Sequence, residues 1–314
     1  MNSLVSTLHP SQVTTIDVSQ LHHDSHTKPL VLKSIHDACQ KMGFFQVINH
    51  GISTEVTENA LGSLSKFFDL PMDQKTIFLS NDVKKPVRLE KFRVDNVSRV
   101  SRELIKLYAY PIEDWIGSWP HNPTDFTENL GKYAIEVRRL SLEIMEAIVE
   151  SLGLPPTYSR SSLEKGMHMI VGNKYPQCSP SSNILGLASH TDHTIITILL
   201  ESMSGLEIMD SNDNNAWKSV PAAGGTLKVL IGNHLEVLSN GLYKSVFHRV
   251  TSNAQKSRVS IGSCLSFPMA QMVEPAMELV DEEHPKRYKA SSLEEYIKFL
   301  SSKADKSYIE SLKI

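Results

Sequence analysis

The chain has 314 residues, of which 40% are hydrophobic and 21% are charged, and its formal net charge is -3. This composition supplies enough apolar surface for a sizeable core, and it lacks the basic excess typical of nucleic-acid-binding proteins. Cys39, Cys178 and Cys264 are too few and too far apart for a disulfide framework, which favours a reducing, cytoplasmic location.

Membrane insertion and secretion are not expected. No apolar run approaches the ~20 residues that a membrane-spanning helix needs. The first twelve residues contain neither a basic leader nor an apolar stretch, so no signal peptide is predicted.

The first half of the chain is predicted to be rich in helices. Its strongest signal is a helix at residues 125–152, where apolar residues recur every three or four positions and form one continuous stripe. Gly153 and the pair Pro155 and Pro156 are typical of a helix end. Shorter elements are also predicted, with helices at 28–41 and 55–68 and strands at 14–18 and 44–48.

The second half has the texture of a β-rich domain. Short strands are predicted at 169–175, 195–200, 206–209, 226–231, 245–251 and 258–265, followed by a helix at 292–300. Hairpin turns are predicted at 212–215 and 239–241. Many short strands at regular intervals are typical of a barrel or a double-sheet jelly roll. We therefore expect a mixed α/β (α+β) fold, with a helix-rich region at 1–166 and a β-rich core with a C-terminal helix at 167–314, packed as one unit.

His190 and Asp192 are candidate metal ligands at the end of a predicted loop, 186–189. In extended chain, residues two apart point the same way, so the imidazole and the carboxylate can bind one ion. His248, in a later predicted strand, is the candidate third ligand. Two histidines and one carboxylate form the facial triad of non-haem Fe(II) oxygenases. The triplet alone is a weak signal, and His193 beside it could be a surface or supporting residue.

Arg258 and Ser260 strengthen this interpretation, because they share one face of a predicted strand. A guanidinium binds a carboxylate through two parallel hydrogen bonds, and a serine hydroxyl adds a donor. The pair predicts a binding site for the distal carboxylate of a dicarboxylic acid whose other end chelates the metal. Without the metal ligands, an ordinary surface arginine would be the default interpretation.

Five motifs in order resemble the plant 2-oxoglutarate-dependent dioxygenase family, which includes flavonoid, gibberellin and alkaloid oxygenases. The resemblance covers roughly residues 14–300. Its motifs are GFFQVINHG at 43–51, NKYPQC at 173–178, HTD at 190–192, LSNGLYKSVFHRV at 238–250 and RVS at 258–260.

Several positions depart from the family pattern. Lys174 stands where the family usually has a tyrosine, and Leu230 and Asn233 stand where it usually has Asn and Asp. Ser101 occupies a place where an aromatic residue is expected, within the divergent segment 88–102. None of these changes removes an iron or 2-oxoglutarate ligand, so they concern the organic substrate and the support around the metal.

The resemblance implies a double-stranded β-helix (jelly-roll) core with surrounding helices. It implies Fe(II) held by His190, Asp192 and His248, with 2-oxoglutarate and O2 as co-substrates and ascorbate as reductant. The residues implied for 2-oxoglutarate are Arg258, Ser260, Tyr175 and Asn173. The oxidising chemistry is expected at the iron, and no side chain is assigned as a separate acid or base. The organic substrate is expected near Cys264, Phe267 and Tyr108, with segment 88–110 and the C-terminal helix at the mouth.

The implied function is oxidation of a hydrophobic plant specialised metabolite or hormone, with release of succinate and CO2. Hydroxylation, desaturation, demethylation and ring closure all remain open. The expected partner is a small molecule rather than nucleic acid or membrane, and a monomer is expected. The alternatives are a catalytically degenerate small-molecule-binding protein of the same fold, a zinc hydrolase, and an interaction protein whose histidines are incidental.

Overall fold

The computed structural model describes residues 5–9, 12–22, 26–93, 100–178, 185–253, 255–300 and 307–314. Its strands are β1 Ser6–Thr7, β2 Thr15–Asp17, β3 Phe44–Ile48, β4 Val87–Phe92, β5 Arg102–Tyr108, β6 His168–Tyr175, β7 Leu185–His190, β8 Ile196–Glu201, β9 Leu206–Asp210, β10 Ala216–Ser219, β11 Leu227–Ile231, β12 His248–Thr251 and β13 Arg258–Leu265. Its α-helices are α1 Thr27–Lys41, α2 Thr54–Asp69, α3 Met72–Lys75, α4 Ile112–Trp115, α5 Phe126–Ser151, α6 Arg160–Glu164, α7 Asn233–Leu238, α8 Leu293–Leu300 and α9 Tyr308–Leu312.

The strands form two facing sheets with a cavity between them. One sheet has five strands in the order β1-β10-β9-β12-β7, and the other has eight in the order β2-β3-β11-β8-β13-β6-β5-β4. Neighbouring strands are antiparallel except in the pairs β1 with β10 and β2 with β3. Helices surround this sandwich, so the predicted α+β class with a jelly-roll core is confirmed.

Strand β13 shows how side-chain alternation separates the core from the cavity. Val259, Ile261 and Leu265 belong to the main hydrophobic core on the outer side of the eight-stranded sheet. Arg258 and Ser260 point the other way and line the cavity between the sheets. Because successive side chains of a strand point to opposite faces, one strand supplies both core packing and polar ligands.

Helix α5 packs across the outer face of the eight-stranded sheet and confirms the helix predicted at 125–152. The stripe residues are at most 8% exposed: Leu130, Tyr133, Val137, Leu140, Ile144, Ile148 and Leu152. Burying each aliphatic side chain of this kind contributes about 1.5–3 kcal/mol. Gly153, with a φ of 81°, ends the helix in the left-handed conformation that glycine adopts readily. Among the described helices, α5 included, none is both long enough and apolar enough to cross a membrane.

Only one of the two predicted hairpin turns is a hairpin. The turn at 212–215 joins the antiparallel strands β9 and β10, with Asn214 and Asn215 at positive φ. The turn at 239–241 instead follows α7, and the Gly241 N–H donates to the Glu236 carbonyl at 2.8 Å. The prediction of a hairpin there was wrong, because Asn and Gly accept left-handed backbone equally well at a helix end.

Three other local predictions need correction. The predicted loop 186–189 lies inside β7, and the strand predicted at 245–251 begins only at His248. The first half also contributes β2, β3, β4 and β5 to the eight-stranded sheet, although β4 and β5 gave no clear signal. In β4 the apolar residues Val87 and Leu89 alternate with charged residues only briefly before Lys91 breaks the pattern, so the run was too short to predict a strand. Part of the divergent segment 88–102, residues 94–99, lies outside the described residues.

Candidate active site

A cavity of about 440 Å³ lies between the two sheets and is bounded on one side by α8. All three predicted metal ligands line it, together with Arg258, Ser260, Asn173 and Tyr175. The structure therefore brings the two predicted ligand sets, which are far apart in sequence, into one space.

His190 and His248 are brought together by strand pairing. His190 is the last residue of β7, His248 is the first residue of β12, and the two are direct partners in the antiparallel register. Their ring centroids are 4.2 Å apart. Asp192 follows in the turn after β7, with Oδ1 lying 3.5 Å from His190 Nε2 and 3.8 Å from His248 Nε2. One ligand atom from each of the three residues lies within 4.8 Å of the others, close enough to share one ion.

Backbone carbonyls fix the tautomer of both histidines. The Nδ1 atom of His190 lies 2.9 Å from the carbonyl oxygen of Ala188, and that of His248 lies 3.1 Å from the carbonyl oxygen of Val246. A carbonyl oxygen only accepts hydrogen bonds, so each Nδ1 carries the proton. Each Nε2 therefore directs its lone pair toward Asp192, as a metal-binding imidazole requires.

The charge states of the ligands also fit a cation. Burial raises the pKa of the Asp192 carboxyl, but His248 and His190 outweigh burial and hold that pKa well below its ordinary value. Burial, together with His190, lowers the pKa of His248 to about 4. A deprotonated carboxylate and a neutral imidazole are the forms that bind metal, so these residues fit Fe(II).

The turn that carries Asp192 is held by backbone contacts from the start of α7. The Asn233 N–H donates to the Asp192 carbonyl oxygen at 2.8 Å. The Asn233 side chain plays no part in this contact, and its buried Oδ1 has no hydrogen-bond partner among the described residues. His193 is buried rather than on the surface, and its ring stacks on Tyr296 of α8 with centroids 3.9 Å apart.

Arg258 is held at the floor of the cavity by three hydrogen bonds. Its Nε donates to the Met203 carbonyl oxygen at 2.9 Å, and its Nη2 donates to Glu201 Oε2 at 2.6 Å. Its Nη1 lies 3.4 Å from Ser260 Oγ, on the cavity side. Arg258 and Ser260 are each 1% exposed, which makes their side chains a buried, oriented donor pair suited to a carboxylate.

Tyr175 and Asn173 lie beside this donor pair. Tyr175 is the register partner of Arg258, and Asn173 is the register partner of Ser260. The Tyr175 ring centroid lies 5.1 Å from the Arg258 guanidinium carbon. Asn173 Oδ1 accepts from Arg102 Nη1 at 3.4 Å. Gly186 makes room for the tyrosine, because a Cβ there would come within 2.5 Å of the Tyr175 ring.

A buried ion pair next to Arg258 was missed in the sequence. Lys228 bonds to Glu201, the same carboxylate that binds Arg258, and both side chains are at most 6% exposed. The signal was present, because a lysine in the apolar run 227–231 and a glutamate at the end of the run 196–200 are unusual in strands buried on both faces. Only the register shows that they meet.

Two of the three residues predicted for the substrate pocket line the cavity. Cys264 and Tyr108 are part of its wall, as are Leu293, Ile297 and Leu300 of the C-terminal helix. Phe267 is 4% exposed and belongs to the main hydrophobic core instead. Cys264 and Ser266 line the cavity, so side-chain alternation continues past the end of β13 and places Phe267 on the core side with Leu265.

Comparisons with known proteins agree with this site. The profile of the 2OG-Fe(II) oxygenase superfamily matches residues 166–266, and that of the N-terminal region of the non-haem dioxygenase in morphine synthesis matches residues 13–122. Rice (Oryza sativa subsp. japonica) 2-oxoglutarate-dependent dioxygenase 21, chloroplastic, is 43% identical over 97% of this chain and 92% of its own length. Rice flavanone 3-dioxygenase 3 is 40% identical over 98% of this chain and 95% of its own length.

A solved structure extends the similarity to the whole fold. The crystal structure of JOX2 in complex with 2OG, Fe and JA has a TM-score of 0.84 and 26% sequence identity, and the match covers 100% of this chain and 96% of that one. These similarities, added to the convergent histidines and carboxylate, show that the chain belongs to the 2-oxoglutarate- and Fe(II)-dependent oxygenase superfamily and is a non-haem iron oxidoreductase.

Proposed function

We propose that His190, Asp192 and His248 hold Fe(II), and that 2-oxoglutarate binds beside them with its distal carboxylate on Arg258 and Ser260. The observation that carries this assignment is the convergence of two imidazoles with fixed tautomers and one carboxylate in a cavity whose floor holds a buried guanidinium. When bound, the iron supplies the activation of O2 that couples conversion of 2-oxoglutarate to succinate and CO2 with oxidation of the organic substrate.

The side chains have separate tasks in this proposal. The two histidines and Asp192 would hold the metal, a set of three protein ligands that would leave coordination positions free for the co-substrates. Arg258 supplies charge and direction to the co-substrate, Ser260 adds a hydroxyl donor, and Tyr175 and Asn173 form the adjoining wall. Because the protein holds Arg258 through two other contacts, its Nη1 is oriented before the co-substrate arrives, which reduces the entropy lost on binding.

We infer that the organic substrate is a hydrophobic plant specialised metabolite or hormone. The apolar part of the cavity wall supports this class, since it includes Met169, Leu293, Ile297 and Leu300. A relative named as a flavanone dioxygenase and a similar structure that contains JA point the same way. The outcome is a hydroxylation, or a desaturation, demethylation or ring closure of such a molecule.

Succinate formation by the purified full-length chain tests this proposal. The protein is incubated with Fe(II), ascorbate and 2-oxoglutarate, with and without O2, against flavonoids, gibberellins, phenolics, terpenoids and alkaloids. We expect oxygen-dependent succinate that rises with one class of compound and disappears when Zn(II) replaces Fe(II). Turnover that needs Zn(II) and no oxygen would favour a hydrolase, and 2-oxoglutarate binding without any turnover would favour a degenerate binding protein.

We further propose that the regions 1–166 and 167–314 act as one unit, as a monomer in the cytoplasm, without nucleic-acid or membrane partners. Strands from both regions share the eight-stranded sheet, which supports the single unit. Gel filtration tests the monomer. A fluorescent fusion of the full-length protein tests the location, with chloroplast import as the competing outcome, because one relative is named as chloroplastic.

A further inference from the structure

The wall of the cavity formed by β4 and β5 carries an excess of positive charge. Arg88, Lys106 and Arg102 all line the cavity. Glu90, on the same hairpin, is bonded to two of them through a single oxygen, with Oε1 lying 2.8 Å from Arg88 Nε and 3.0 Å from Lys106 Nζ. Among the described residues that line the cavity, the only carboxylate is the metal ligand Asp192. Among the residues of this hairpin that the structure describes and that face the cavity, three cations are thus accompanied by one carboxylate, an excess of two positive charges.

The charge of 2-oxoglutarate does not account for this excess. Its two carboxylates are balanced elsewhere, since Fe(II) with Asp192 carries one net positive charge and Arg258 with Lys228 and Glu201 carries another. The charges of the β4–β5 wall are therefore in addition to those that the co-substrate needs. Buried or half-buried charge without a counter-ion costs free energy, which a second anion would offset.

Lys106 is placed to meet such an anion near the metal. Lys106 of β5 pairs with Val171 of β6, and Val171 pairs with Gly262 of β13. These three residues form one row across the sheet, and the neighbouring row on the cavity side contains Cys264. Burial raises the pKa of the Cys264 thiol to about 12, and Asp192 raises it while Lys106 lowers it. Asp192 and Lys106 therefore both lie within electrostatic range of the Cys264 thiol.

The three cations of this wall also act on one another. Burial lowers the pKa of Lys106, and Arg88 and Arg102 lower it further against the opposing effect of Glu90. The Nε atom of Arg102 is buried and has no hydrogen-bond partner among the described residues. Its guanidinium carbon lies 5.2 Å from the centroid of the Phe92 ring. An anion beside these groups would satisfy charge and hydrogen bonds together.

We propose that the organic substrate of this oxygenase is a hydrophobic carboxylic acid, whose carboxylate is bound by Lys106 and Arg88 while its apolar body lies against Met169 and the α8 residues. This inference rests on the proposed function and narrows it to one chemical class. Lys106 is the principal contact, because its ammonium has three donors and, among the described residues, bonds only to Glu90, whereas Arg88 is bonded both to Glu90 and to the carbonyl oxygen of Val83.

Paired probes test the proposal in the full-length protein loaded with Mn(II), which binds oxygen ligands like Fe(II) but does not turn over, and with 2-oxoglutarate. Calorimetry compares benzoate, cinnamate and indole-3-acetate with their methyl esters, and with the neutral flavanone naringenin. We expect at least one acid to bind about tenfold or more tightly than its ester and than naringenin, since a desolvated charge pair is commonly worth that much.

Substitution at Lys106 identifies the residue responsible. In Lys106→Met the preference for the acid should fall to about twofold or less, while 2-oxoglutarate affinity stays within about twofold of the wild type. Lys106→Arg should retain the preference. Lys91→Met is the matched control, because Lys91 is on the same hairpin but pairs with Glu103 on the opposite face. Thermal unfolding of each variant checks that the fold is intact.

Several outcomes would overturn the proposal. Esters or naringenin binding as tightly as every acid would do so, as would no acid binding at all while 2-oxoglutarate binds. An acid preference that survives in Lys106→Met, or an equal loss of 2-oxoglutarate affinity in that variant, would show that Lys106 has another role. Absence of 2-oxoglutarate binding would contradict the proposed function rather than the anion site. Even in that case, a preference for the acid that depends on Lys106 would support the anion site.

Discussion

The Nη2 atom of Arg258 lies 2.6 Å from the Oε2 atom of Glu201, and both side chains are buried inside the sandwich. Glu201 also binds Lys228, so Arg258, Glu201 and Lys228 form one buried network of charged groups. The second cation matters because a guanidinium neutralised by its own carboxylate would attract a dicarboxylic acid weakly. Lys228 restores one net positive charge to the place where the co-substrate carboxylate is proposed to bind.

Replacing Lys228 with Met should weaken 2-oxoglutarate binding about tenfold. A unit charge ~10 Å away at an effective dielectric constant of ~20 is worth roughly 1.7 kcal/mol, which corresponds to a factor of about ten to twenty. Titration of 2-oxoglutarate into the Mn(II)-loaded protein measures the change, and Mn(II) affinity itself should stay unaltered. Lys132→Met, at an exposed ion pair on α5, is the control. Unchanged 2-oxoglutarate affinity in Lys228→Met would show that the network has only a structural role.

Replacing Arg258 with Gln should affect the co-substrate far more than the metal. The amide keeps a hydrogen-bond donor but loses the charge and the forked geometry, so the concentration of 2-oxoglutarate needed for half-maximal binding should rise at least about tenfold. Ser260→Ala should produce a smaller rise, because it removes one neutral donor worth about 1 kcal/mol. Metal and co-substrate titrations on the same samples separate the two effects. Equal losses of both affinities in Arg258→Gln would count against its assigned role.

Much of the metal site could be predicted from the sequence, because strand alternation and short spacing are local properties. His190 with Asp192, and Arg258 with Ser260, are each two residues apart, so extended backbone alone places each pair on one side. The network of Glu201 with Lys228 could not be predicted, because it depends on which strands are neighbours and on their register. The same limit applies to Lys106, whose strand gave no clear pattern and whose position relative to Cys264 follows from three paired strands.

Gly232 should be intolerant of a side chain, with an effect on metal binding. A Cβ at this position would lie 2.0 Å from the Thr194 carbonyl oxygen, and the next residue donates the N–H that holds the Asp192 turn. Gly232→Ala should therefore displace the turn, lower Mn(II) affinity and destabilise the protein by about 1–3 kcal/mol. Gly62→Ala is the matched control, because it lies on the exposed side of α2 with open space around it. That change should be neutral or stabilise by up to about 1 kcal/mol. Unchanged Mn(II) affinity in Gly232→Ala would show that the close approach of Gly232 to Thr194 does not position the turn that carries Asp192.

Stability should fall in mild acid, partly because of His168. Burial, and secondarily Arg138, lower the pKa of His168 from about 6.5 to about 3 in the folded protein. Below about pH 6.5 His168 binds a proton in the unfolded chain but stays neutral in the folded chain. The free energy of unfolding therefore decreases as the pH falls. At about pH 5 the loss amounts to about 2 kcal/mol. Its Nε2 lies 2.7 Å from Ser263 Oγ, a contact that a glutamine amide can replace.

Urea unfolding at about pH 7.5 and about pH 5 checks this prediction. In His168→Gln the free energy of unfolding should fall less between the two pH values than in the wild type, by about 2 kcal/mol. His121→Gln, at an exposed histidine, is the control and should lose as much stability on acidification as the wild type. The prediction fails when the His168 variant loses as much stability on acidification as the wild type does.

The most direct test of the central claim measures bound iron and succinate in the same samples of wild type and Asp192→Ala. The control is Asp213→Ala, which removes an exposed carboxylate in the turn between β9 and β10. We expect one Fe(II) per wild-type chain and oxygen-dependent succinate from 2-oxoglutarate, with both retained in the control and both lost in Asp192→Ala. Iron binding and succinate formation that persist without the Asp192 carboxylate would contradict the assignment of His190, Asp192 and His248 as the metal centre.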